Sequence, residues 1–269
     1  MSLRRRPEAP NSQLVTIIGY DDDAMEPFVT PDYLLWNNRN DPAINTDLHY
    51  AVRIDDLTFD YRGRILGANT QELKGTPTMD QDGWLYFVST RSYFSTYSTI
   101  YRAHFSAETV SKVTLVPNVS LETPGMVNFD VGVSPDGLTL YFVDGLFGSG
   151  GLPKTANLVL AYRRGIFYKR SKTSNFLLGA VNTEFLEYAP AVSADGLELY
   201  FTRFDTTPGN KPAIFVATRV EPGDPFGEGA LIPAAEGFVE APALSPDERG
   251  LYYHRLDGDN RFRIYRISR

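Results

Sequence analysis

One phrase recurs along this chain and constrains its fold more than any other. It is fullest at Ser134-Pro135-Asp136-Gly137-Leu138-Thr139-Leu140-Tyr141-Phe142, a tight turn running into an aromatic strand. Proline presets φ for the first turn position, and glycine accepts the positive φ that closes it. Aligned on the turn aspartate, five copies place Asp32, Asp82, Asp136, Asp195 and Asp247 at intervals of 50, 54, 59 and 52 residues. A short strand precedes each turn and usually carries a proline, as in Glu26-Pro27-Phe28-Val29, Thr76-Pro77-Thr78-Met79, Ala189-Pro190-Ala191-Val192 and Ala241-Pro242-Ala243-Leu244. Val131 takes the proline's place in the third copy. A proline at the start of a strand costs no ladder donor.

After the turn, each copy continues with an aliphatic and aromatic strand: Leu34-Leu35-Trp36, Leu85-Tyr86-Phe87, Leu140-Tyr141-Phe142, Leu199-Tyr200-Phe201 and Leu251-Tyr252-Tyr253. A polar loop leads to a third strand, and an edge strand closes the unit, for example residues 112–116 and 176–180. A period near 50 built from strands predicts an all-β, five-bladed β-propeller with four-stranded antiparallel blades. The blades fall near residues 20–70, 71–121, 122–181, 182–236 and 237–269, in a single domain. The last copy lacks a fourth strand, and the apolar segment 13–19 is expected to supply it, because a closed ring leaves only short edges.

The units at 134–142, 193–201 and 241–247 resemble the TolB-type, WD-like propeller repeat along essentially the whole chain. The first two copies depart from it, since Asp32 is not followed by Gly and Asp82 is not preceded by Pro. That resemblance implies a non-enzymatic platform that binds a protein, a peptide or a glycan, and members of the family are often exported. A second likeness is to five-bladed glycoside hydrolases of the arabinosidase and xylosidase type, carried by Glu26-Pro27, Asp130 and Glu240-Ala241-Pro242, with Glu187-Tyr188-Ala189-Pro190 as an alternative for the last. It implies Glu26, Asp130 and Glu240 or Glu187 as catalytic carboxylates. The first acid is Glu where that family has Asp, and Glu240 lies one blade later than that family's general acid.

A net charge of −7 argues against general nucleic-acid binding, which needs a basic footprint. With no cysteine there are no disulfides or thiolate metal sites, and either a cytoplasmic chain or one whose leader has been removed is expected. No apolar run is long enough for a transmembrane helix, and a monomer is expected.

In a ring of such blades, the turn aspartates cap their own turns at one end. Function is expected at the other end, where first strands begin and second-to-third-strand loops emerge. Glu26, Asp130, Glu187 and Glu240 lie there, and clustered carboxylates shift one another's pKa as acid/base pairs require. Arg39, Arg91, Arg203 and Arg255 follow the second strands. They are expected either to fork onto those carboxylates or to form a mixed-charge ligand ring. Trp36, Tyr93, Tyr97 and Tyr188 add aromatic surface suited to a sugar or peptide, with loops 92–97 and 145–151 beside them. The three histidines, His49, His104 and His254, lack ligand spacing and read as strand residues. No cofactor is expected; the acidic runs 21–23 and 257–260 are at most weak calcium candidates, because neither has a complete loop spacing. No phosphate loop, nucleophile elbow or Ser-His-Asp set is present.

Overall fold

The computed structural model describes residues 12–40, 46–106 and 108–269. It is an all-β chain of successive antiparallel meanders. The innermost strands are Met25–Val29, Lys74–Met79, Val131–Val133, Leu186–Val192 and Phe238–Leu244. Next come Tyr33–Asn37, Trp84–Ser89, Thr139–Phe147, Glu198–Phe204 and Gly250–Leu256, which are the aromatic strands of the repeat. Adjacent inner strands touch in a closed circuit, with Phe238–Leu244 returning to Met25–Val29. At Gly132 a Cβ would fall 2.3 Å from the Pro190 carbonyl oxygen, so the inner strands meet at backbone distance.

The apolar core consists of layers between consecutive meanders. Leu35, Tyr50, Leu85 and Phe87 fill one, and Tyr86, Val131, Phe142 and Val159 another. Trp36, Phe59, Ala243 and Tyr252 fill the layer that joins the last meander to the first. Strands covered on both faces explain why the Leu-Tyr-Phe runs are continuous rather than alternating.

The turns behave as read. Ser134 Oγ donates to Asp136 Oδ1 at 2.6 Å, and Asp136 accepts the Leu138 N–H at 2.9 Å. Ser193–Asp195 and Ser245–Asp247 repeat the arrangement. In the second copy Asp80, at the serine's place, caps the turn instead by accepting the Asp82 and Trp84 N–H groups.

Three expectations on local structure change. Gln13–Leu14 pairs antiparallel with Phe262–Ser268, but Thr16–Ile18 crosses over and pairs parallel with Thr58–Arg64 of the first meander. The N-terminal segment therefore clips two meanders rather than filling one edge. Residues 174–177 form a helical turn, and the edge strand of the third meander is Phe167–Arg170. The expected loop at 145–151 begins inside a long strand, Thr139–Phe147.

Candidate functional site

Each proline-bearing inner strand breaks its ladder just before the proline. Glu26, Thr76, Ala189 and Ala241 hold φ of 54°, 49°, 51° and 55°, and the register shifts at each. Positive φ in residues with a Cβ is a costly conformation, kept only where surroundings over-determine it. The bulge frees a backbone N–H, and a freed buried donor needs a partner.

In every case the neighbouring meander supplies one. His254 Nδ1 accepts from Glu26 at 3.0 Å, and Glu26 Oε2 accepts from Thr76 at 2.7 Å, with Asn37 Oδ1 at 3.1 Å. Asp130 Oδ2 accepts from Ala189 at 2.9 Å, and Thr202 Oγ1 from Ala241 at 3.0 Å. Asn37, Thr202 and His254 occupy the same place, directly after the aromatic of the second strand. In the third meander that place is Val143, which cannot accept a hydrogen bond, and Asp130 takes the role.

This circuit draws Glu26, Asp130 and Glu240 into one electrostatic cluster. Glu26 also accepts from Asn40 Nδ2 at 2.7 Å. Because the Glu26 N–H occupies Nδ1 of His254, Nε2 carries the proton and donates to Glu240 Oε2 at 3.0 Å. Tyr188 donates its hydroxyl to Glu240 Oε1. Burial raises the Glu26 carboxyl above the ordinary range against the pull of His254, Thr76 and Asn40, and the charge of Glu240 adds to the rise. Burial, then the charges of Glu26 and Glu240, hold Asp130 well above it. Tyr188 is likewise pushed well above the ordinary phenol, by burial first and then by Glu240. Phe129 lies against Tyr188 and Phe147, with ring centroids 5.9 and 5.6 Å apart.

The fourth expected acid stands apart. Glu187 is fully buried, bonded to Arg203 Nε at 2.7 Å and to the Thr183 N–H and hydroxyl at 3.0 and 2.6 Å. This corrects its candidacy as a catalytic group: a carboxylate so enclosed has no face left for a substrate.

The arginines do not form one ring. Arg39 binds Asp23, and Arg255 binds Asp257 and covers Tyr265 at 3.7 Å. Arg91 covers Tyr101 at 4.8 Å and donates to Ser89 and the Ala68 carbonyl. None of the four bonds to Glu26, Asp130 or Glu240 in the hydrogen bonds and ion pairs of the described residues. Asp144, which stands where the fourth and fifth units have arginine, binds Arg170.

Trp36 is a further correction. It is fully buried, stacked on His49 at 5.6 Å and edged by Tyr20 at 5.1 Å, so it is core rather than ligand surface. Its loop continues to Asp41, which lies outside the described residues. Tyr93 and Tyr97 lie on a single helical turn, with Tyr93 Oη accepting the Gly125 N–H at 3.0 Å. In the two acidic runs, Asp21 pairs with Arg261, Asp23 with Arg39, and Asp257 and Asp259 with Arg263. His254 and Asn37 escaped sequence reading as site residues. Their signal was the polar residue recurring after the second-strand aromatic.

No protein-family model and no curated protein matches the sequence. Solved structures do match the fold. An endo-arabinase from Bacteroides thetaiotaomicron has a TM-score of 0.61 and 14% identity, covering 96% of this chain and 97% of its own. A family 117 glycoside hydrolase of Zobellia galactanivorans has a TM-score of 0.60 and 12% identity, covering 96% and 90%. TolB from Acinetobacter baumannii has a TM-score of 0.50 and 17% identity, covering 92% of this chain and 55% of that one. The fold is a β-propeller. Both resemblances carried by the repeats are present among these neighbours. Among the described residues no helix is long and apolar enough to cross a membrane.

Proposed function

We propose that this chain is a single-domain, five-bladed β-propeller, acting as a monomer, whose axial mouth handles a glycan and hydrolyses a glycosidic bond. One observation supports the reading: Glu26, Asp130 and Glu240 come from three different meanders into one electrostatic cluster, and no arginine among the described residues is bonded to any of them. Glu187, by contrast, is ion-paired with Arg203 inside its own meander.

The roles follow from burial and bonding. Glu26 and Glu240 are half-buried and can reach a ligand, whereas Asp130 lies behind them at 3% exposure. Glu26, held above the ordinary range, is the proton donor to the leaving oxygen. Glu240, oriented by Tyr188 and His254, activates water or attacks the sugar carbon. Asp130 ties the third meander to the fourth.

A non-catalytic glycan platform is the second reading. It is favoured because both oxygens of Glu26 and of Glu240 are already engaged by protein donors. A panel of aryl-glycosides and oligosaccharides separates the two. On the hydrolytic reading at least one substrate turns over, and Glu26→Gln and Glu240→Gln each lower kcat by roughly 100-fold or more while the oligosaccharide still binds. Saturable sugar binding with no turnover across the panel moves the assignment to the platform. Turnover insensitive to both substitutions removes this site from the chemistry.

A further inference from the structure

The inner strands enclose a second space, which opens among the turns and reaches inward to Glu26 of the carboxylate cluster. A cavity of about 540 Å³ runs down the axis from the turns to Glu26 and Thr76. That volume lies within the range of small-molecule sites. Its wall is apolar, built from the buried rings of Pro27, Pro77, Pro190 and Pro242, with Met79 and Leu244 above them.

Its charge is one-sided. The lining includes four carboxylates, Glu26, Asp32, Asp80 and Glu248, and no lysine, arginine or histidine. Asp32 is exposed at the rim, and Glu248 stands beside it among the turns with φ 56° and its Oε1 on the Ala194 N–H. Asp80 is 4% exposed, and its Oδ2 has no hydrogen-bond partner. Asp32 and Glu248 place acidic groups at the rim, and no residue of the lining is cationic.

We propose that this axial channel is a binding site for a small organic cation, an apolar body seated among the proline rings with its ammonium group at the acidic rim. The site meets the glycan-handling mouth at Glu26, but its cation-binding rim lies at the turn end and does not depend on that reading. Apolar walls alone would take any hydrophobe of the right width; the rim acids Asp32 and Glu248 select the cation.

The test titrates the full chain with n-hexylammonium by calorimetry, beside hexanol and hexanoate of matching length. Hexylammonium should bind saturably, roughly five- to tenfold tighter than hexanol, with hexanoate not binding, and added salt should weaken only the amine. Ala191 is half-buried in the channel wall, so Ala191→Phe should abolish binding; Leu244→Phe is the alternative block should the first variant fail to fold. Asp32→Asn combined with Glu248→Gln should reduce the amine's advantage over hexanol to about twofold or less. Equal affinity for hexanol and hexylammonium overturns the proposal. So does binding that survives a folded Ala191→Phe protein, or a channel that takes only sodium or calcium.

Discussion

Gly75 precedes the bulge at Thr76 in its inner strand, where a Cβ would lie 2.7 Å from Glu26 Oε2. The missing side chain is what lets the Glu26 carboxylate reach the Thr76 N–H. Gly75→Ala should push that carboxylate out of place. Any sugar turnover should fall at least tenfold, with a loss of stability of about 1–2 kcal/mol in thermal unfolding. A variant with full activity would mean that Glu26 is not positioned by this contact. Asp130 carries the sign of a pH effect. Its carboxyl is raised in the folded chain, so the native state holds its proton after the unfolded chain has released it. Its contribution is therefore fully present below the ordinary carboxylate range and is lost as pH rises from there through the raised value. Asp130→Asn keeps an oxygen for the Ala189 N–H and removes the titration. Its melting temperature relative to the parent should rise steadily from pH 4 to pH 8, and a flat difference would show that Asp130 is ionised without strain.

At the scale of the element, the bulged inner strand is a repeated device. It frees one N–H and offers it to the preceding meander around the ring. The acceptor differs each time: His254, Glu26 with Asn37, Asp130, and Thr202. Thr202 is fully buried, and Thr202→Val preserves its shape while leaving the Ala241 N–H unpaired. Chemical denaturation should show a loss of about 1–3 kcal/mol, the cost of a buried orphan donor. A neutral outcome would mean that water reaches this bulge. The same device explains why Glu26 and Asp130 stand at the mouth: both are there as acceptors for a bulge N–H.

Across the whole molecule, stability depends on closing the ring. Val15 is buried in the layer between the last and first meanders, and its N–H donates to the Ile264 carbonyl at 2.9 Å. On either side of it the chain pairs first with Phe262–Ser268 and then with Thr58–Arg64. Deleting residues 1–18 should lower the melting temperature by several degrees or more and expose the edge of Phe262–Ser268 to association. Calorimetry with light scattering reads both. An unchanged, monodisperse protein would show that the closing layer holds without its clip.

The repeat was written in the sequence because each copy must solve the same local problem. A Pro-Asp-Gly turn has few backbone solutions, and a Leu-Tyr-Phe strand has to be covered on both faces. Asp136, Asp195 and Asp247 were therefore legible as turn caps, and the all-β layering followed from the spacing. The position of Glu26, Asp130 and Glu240 near the mouth was legible too, by counting from the prolines. What each acid meets there was not. Glu187 and Glu240 look interchangeable in one dimension, three and two residues before a proline. Only the paired strands show that Glu187 sits opposite Arg203 while Glu240 sits opposite His254. Trp36 reads as aromatic ligand surface but packs into the closing layer, since its neighbours Tyr20, His49 and Tyr61 come from other segments. Local chemistry repeats with the sequence, whereas partners across meanders are chosen by ring closure, and that is decided only when the chain returns to its own start.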